Sequence, residues 1–227
     1  LRACQAAVLQ HDQCMGGDLD HNIRTFSFAH HRFDSVCRPL FTVICLLKPI
    51  VMMLITIGED NRDKEQQNRA LKVLRALNLK FIVNMGLAAD YAETGLRLIR
   101  EFKALSNDPA SSRVLLDAWS YRMNRLFKEG GIGQVPDNAI GQTATQIALQ
   151  QANALGNFVT CGDMTINFVD ESPTMVLAEG VQAFRRIIDL AQDRIDADFR
   201  RSDLYMSFEV FHLGQWQSVL RNNPPSM

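Results

Sequence analysis

Cysteine is sparse and poorly spaced for chemistry. The five residues, Cys4, Cys14, Cys37, Cys45 and Cys161, are odd in number and include no C-x-x-C pair. Disulfide frameworks and thiolate zinc sites both use closely patterned cysteines. Buried, reduced thiols in an intracellular protein, nuclear or cytoplasmic, are therefore expected. An excess of charge of one sign is also missing. Twenty-four Lys and Arg stand against 25 Asp and Glu, for a formal charge of -1, so no global basicity advertises a nucleic-acid partner. There is no G-x-S-x-G elbow and no H-E-x-x-H, and five scattered histidines define no triad. Gly130-Gly131-Ile132-Gly133 lacks the Lys-Ser/Thr of a phosphate loop and reads as a helix stop and linker. No basic stretch followed by an apolar one opens the chain, so no signal peptide is expected. The start at Leu1 and the Asn222-to-Met227 tail suggest a fragment or processed piece.

No long apolar run passes without a charge. Leu40 to Ile57 approaches the length of a bilayer span, but Lys48 sits at its centre. A central lysine costs about 2.5–3.5 kcal/mol on insertion, so a core helix and no membrane partner are expected. Pro49 should kink or break that helix, because it donates no hydrogen bond and crowds the preceding turn.

What the chain does have is helical periodicity. Its 227 residues, 47% of them apolar, suffice for one large domain or two small ones. From Leu71, apolar residues recur at steps of three and four through Leu77, Phe81, Met85, Ala92, Leu96 and Phe102, with Gly86 and Gly95 as expected points of bending or splitting. Asp108-Pro109 starts a second helix, which Gly130-Gly131 stops. Ser172-Pro173 starts a third, and a weaker one runs from about Ala139 to Leu155. Around Gly162-Asp163, β-branched residues suggest a small hairpin. There is no internal repeat, and no βαβ alternation points to a parallel sheet. The expected fold is mostly α, an irregular multi-helix bundle with long amphipathic helices and at most one small β-hairpin.

Charge is uneven along the chain. Arg62 to Lys128 holds 13 Lys/Arg against 7 Asp/Glu, a net of +6. Glu129 to Val169 is net -3, and so is Asp170 to Asp203. The basic middle is either a set of solvated helix faces or a surface for an anionic partner. His30-His31 with Asp18, Asp20 and His21 lacks any metal-ligand spacing, so a polar loop is expected there. Asp90 and Glu93 lie three apart on a helix and could share a face, but i,i+4 pairing of Glu93 with Arg97 explains them more simply than catalysis. Asp189, Asp193, Asp196 and Asp198, among Arg185, Arg186, Arg194 and Arg200, read as a charged helix face. Arg32-Phe33-Asp34-Ser35 sets a base beside an aromatic just ahead of the apolar run, a combination that can hold a phosphate and stack a base.

From Arg32 onward the chain resembles the hAT-superfamily transposases. The family has a Thr-Arg-Trp-x-Ser motif, a long apolar helix, a polar gap, and helices with Phe-Ile and a later Asp. Here His31-Arg32-Phe33-Asp34-Ser35 precedes the apolar run, Gly58 to Asn68 forms the gap, and Lys80-Phe81-Ile82 and Asp90-Tyr91 follow. Arg194 to Arg200, Asp203-Leu204 and Val210-Phe211-His212 resemble the closing pattern. Three positions depart from it: His31 for Thr, Phe33 for Trp and His212 for Asp. The resemblance implies the helical region inserted into an RNase H-like core, with 1–31 as a flanking segment, 32–220 helical and 221–227 a flexible tail. It implies DNA-end binding or assembly through Arg32, Phe33 and Ser35, with DNA, a second copy or another protein as partner. The parent enzymes would use magnesium for phosphoryl transfer. No match to their three metal-binding acids is found here, so no catalytic residue and no cofactor are expected of this chain. The alternative is a helical protein–protein module or degenerate remnant without nucleic-acid activity, its apolar stripe on the Leu40–Ile57 helix.

Overall fold

Prolines and short polar caps decide where the helices begin. The computed structural model describes residues 34–60, 62–104, 109–134, 142–168 and 172–198. Its elements are α1 (Asp34–Cys45), α2 (Leu47–Glu59), α3 (Lys64–Ala76), α4 (Leu79–Ala104), α5 (Pro109–Met123), α6 (Ala144–Leu155), β1 (Phe158–Cys161), β2 (Met164–Asn167) and α7 (Pro173–Asp198). The fold is mostly α, as the periodicity indicates. The two strands pair antiparallel around Gly162-Asp163, with Cys161 opposite Met164.

The apolar run breaks at Leu46 rather than at Pro49, and its halves meet at 77°. The proline still explains the break. Its absent N–H would have bonded to the carbonyl four residues back, at Cys45, where α1 ends. Pro49 sits instead in the first turn of α2, whose amides have no intrahelical acceptor in any case. Ile44, Cys45, Leu46, Leu47 and Val51 are buried at this elbow. Among the described residues no single helix is long and apolar enough to cross a membrane.

The long stripe also divides at a place the glycines do not mark. It splits at Leu77-Asn78, while Gly86 and Gly95 lie inside an unbroken α4. Asn78 Oδ1 accepts from Phe81 N at 2.8 Å and so caps α4. Asp63 does the same for α3, accepting from the amides of Glu65 and Gln66. Gly86 serves packing. A Cβ there would lie 2.6 Å from Thr145 Cα, so only glycine lets the backbones of α4 and α6 come this close.

α4 is the central helix and packs against α1, α5, α6 and α7. One core runs through Ile44, Leu74, Ile82, Leu87, Met123, Phe127, Ile132 and Ile188. The end of α5 widens into a π turn over Asn124–Lys128, where Glu129 N bonds Asn124 O at 2.9 Å. Leu126 and Phe127 are adjacent and both buried there. Phe127 stacks on Phe184 of α7, with ring centroids 5.7 Å apart. Arg185 closes the turn: its Nε donates to Phe127 O at 2.7 Å and a terminal nitrogen to Lys128 O at 2.9 Å.

The acids of α7 do more than face solvent. Asp189 pairs with Lys128 at 2.6 Å and Asp196 with Arg113 at 3.1 Å, tying α7 to α5. Of the five cysteines, the described thiols, Cys45 and Cys161, are buried and free. Burial pushes Cys45 up to about 11 and also raises Cys161, aided by Glu59. Neither is a reactive thiolate near neutral pH.

Candidate functional site

Asp90 stands on the middle of α4 and is buried. Its Oδ1 accepts from Ala144 N at 2.7 Å. Its Oδ2 accepts from Thr145 N at 2.9 Å and from Thr145 Oγ1 at 2.6 Å. The carboxylate therefore caps α6 from 54 residues away in sequence. Thr143 completes the cap locally through a capping box with Gln146. Burial pushes the Asp90 carboxyl above the usual carboxylate range. The Thr145 and Ala144 hydrogen bonds and the charge of Arg122 pull against that rise without cancelling it. Arg97 pairs with Glu101, one turn further along α4, at 3.0 Å. In place of the expected pairing of Glu93 with Arg97, Arg97 bonds Glu101, and Asp90 turns inward to a helix terminus.

Beside this node, α4 and α5 form an open cleft of about 270 Å³. Two matched helical faces build it. Thr94, Arg97, Leu98 and Glu101 recur at helical spacing on α4; Ala118, Tyr121, Arg122 and Arg125 recur in the same way from α5 into its π turn. Three guanidiniums and one carboxylate thus share the cleft with an exposed tyrosine and a buried tryptophan. Trp119 Nε1 and Arg122 Nε are buried donors without a hydrogen-bond partner, an uncommon condition inside a fold. On the other side of Arg122 a second cleft of about 350 Å³ reaches Phe41, Glu93 and Gln142. Three other basic groups of this region pair with acids of α7: Lys80 with Glu179 at 2.9 Å, Arg113 with Asp196 and Lys128 with Asp189. What the first cleft can do chemically is hold an anion.

Of the residues singled out in the sequence, Asp90 and Glu93 lie in this region. Arg32, Phe33, His30 and His31, with Asp18, Asp20 and His21, fall outside the described residues, as does the closing pattern beyond Asp198. Ser35 falls in the backbone of α1, and its side chain is outside the described set. Phe81 and Ile82 of the Phe-Ile pair divide between solvent and core. Among the described residues no three of His, Cys, Asp and Glu converge as a metal-ligand set. The magnesium that the resemblance implies for the parent enzymes does not fit at Asp90, whose two oxygens are already engaged by α6. In the sequence Arg122 and Arg125 were legible only as part of a basic stretch, and Arg97 only as a helix-face partner for Glu93. The matched spacing on two helices was the available signal, and it needed knowledge that α4 and α5 are neighbours.

No protein-family model, curated protein or solved structure matches this chain.

Proposed function

We propose that this chain is a non-catalytic helical module that binds DNA, akin to the region inserted into hAT-type transposases. One observation carries the reading: Arg97, Arg122 and Arg125 line one open cleft within the stretch of net charge +6. Guanidiniums suit phosphate oxygens in geometry and charge, and clustering them raises the local potential for a polyanion. The order of motifs from Arg32 to Tyr91 supports the same reading. Arg32 and Phe33, outside the described residues, would contribute a phosphate contact and a stacking ring of their own.

Charge removal at the cleft tests this. The Arg97→Gln, Arg125→Gln double variant should weaken DNA binding about tenfold or more. It should also flatten the log–log salt dependence by about 1, since Arg125 makes one phosphate contact, worth close to one unit, and Arg97 is paired with Glu101. Fluorescence anisotropy with a labelled duplex bearing a single-stranded extension measures both. Unchanged affinity and slope in a variant with an unchanged unfolding curve would overturn the role given to the cleft.

A second reading, a protein–protein module, rests on α7. Leu190 is 70% exposed and Ile187 46%, on a helix otherwise rich in charge. Exposed apolar side chains stand both on α7 and on the Leu40–Ile57 segment, where Phe41, Met52 and Met53 reach the surface while the elbow itself is buried. Its mark is self-association in sedimentation without any affinity for DNA.

A further inference from the structure

The cleft contains a feature that phosphate binding alone leaves unused. Tyr121 is 62% exposed and lies one residue from Arg122 on the same wall. Because it is largely outside the core, burial does not account for an aromatic there. Duplex DNA offers little to such a ring, since its bases stack on one another and show only their edges in the grooves. A single strand offers both a base face and a phosphate at once, and stacking contributes strongly to such binding.

Resting on the DNA reading above, we infer that the α4–α5 cleft is a subsite for one unpaired nucleotide of a single strand. Tyr121 stacks the base, and Arg122 and Arg125 hold its phosphate. Glu101, also in the cleft, stays paired with Arg97 and sets the edge of the anionic pocket. The volume, about 270 Å³, is on the scale of a single nucleotide. Arg122 is the centre of the subsite: its Nε lacks a partner within the protein, and the residue also borders the second cleft, which holds Asp90.

The test compares a labelled oligothymidylate with a mixed-sequence duplex of equal length, about 16 nucleotides to match the upper site size of single-strand binders. Wild type, Tyr121→Ala and Tyr121→Phe are titrated by anisotropy at one salt concentration. The expected result is tighter binding of the single strand, a loss of about tenfold or more for Tyr121→Ala on that probe, and near-wild-type binding for Tyr121→Phe. On the duplex, all three proteins should agree within about twofold, because no base reaches the ring. Equal affinity for both probes, untouched by Tyr121→Ala, would overturn the single-strand subsite and leave the DNA-binding reading standing. Binding of neither probe would overturn both. Tyr121 is exposed, so its replacement should leave thermal unfolding unchanged, and that control separates loss of stacking from loss of fold.

Discussion

Replacing Asp90 with alanine should lower the unfolding free energy by about 3–5 kcal/mol. Three buried donors depend on this carboxylate: the amides of Ala144 and Thr145 and the Thr145 hydroxyl. Each donor left without an acceptor costs about 1–3 kcal/mol, and the favourable charge at the positive end of α6 is lost as well. Asp90→Asn should cost less, about 2 kcal/mol, because one acceptor oxygen remains while its NH2 faces an N–H. Urea unfolding with an unchanged m-value measures both.

The same residue predicts a pH dependence. The folded-state pKa of Asp90 is raised, with burial as the main cause, so the folded form binds this proton more readily than the unfolded chain. Its titration therefore stabilises the fold below the ordinary aspartate range, and that contribution is lost as pH rises through the higher folded value. Asp90→Asn removes the group from the titration. The stability gap between wild type and Asp90→Asn should therefore vary with pH across that acidic window and be constant above it.

Replacing Phe127 with alanine is the second large effect, about 3–5 kcal/mol. The ring is fully buried, stacks on Phe184, and sits in the π turn whose carbonyls receive Arg185. Truncation opens a cavity between α5 and α7 and removes an aromatic pair beyond its buried area. Phe127→Leu should cost about 1–2 kcal/mol, since most of the volume remains. Thermal or urea unfolding distinguishes the two. Arg125 lies in the same turn, so Phe127→Ala should also weaken DNA binding, whereas Phe127→Leu largely preserves it.

Much of the architecture was legible because it is written locally. Asp108-Pro109, Ser172-Pro173 and Gly130-Gly131 mark helix ends within a few residues, and Gly162-Asp163 marks a turn between short β-branched runs. The glycines of α4 misled for a physical reason. Gly86 reads as a helix weakness in isolation, yet its role is to admit the α6 backbone, a contact made 59 residues away with Thr145. Asp90 was visible as a carboxylate on a helix, but its work as a cap for α6 depends on a partner helix that no spacing announces. The cleft has the same character: two regular faces are each visible, and only their apposition makes a site. The break at Leu46 shows a smaller effect of this kind, where proline acts on the turn before it.

The most direct measurement is the affinity of the intact chain for a labelled DNA duplex with a single-stranded extension, taken from about 50 to about 200 mM salt. With Arg122 and Arg125 on phosphate and Arg97 paired with Glu101, and each contact contributing about 0.7–0.9, the account predicts measurable binding at low salt and a log–log slope of about -1.5 to -2. No binding at low salt, or an affinity that does not change with salt, would contradict it.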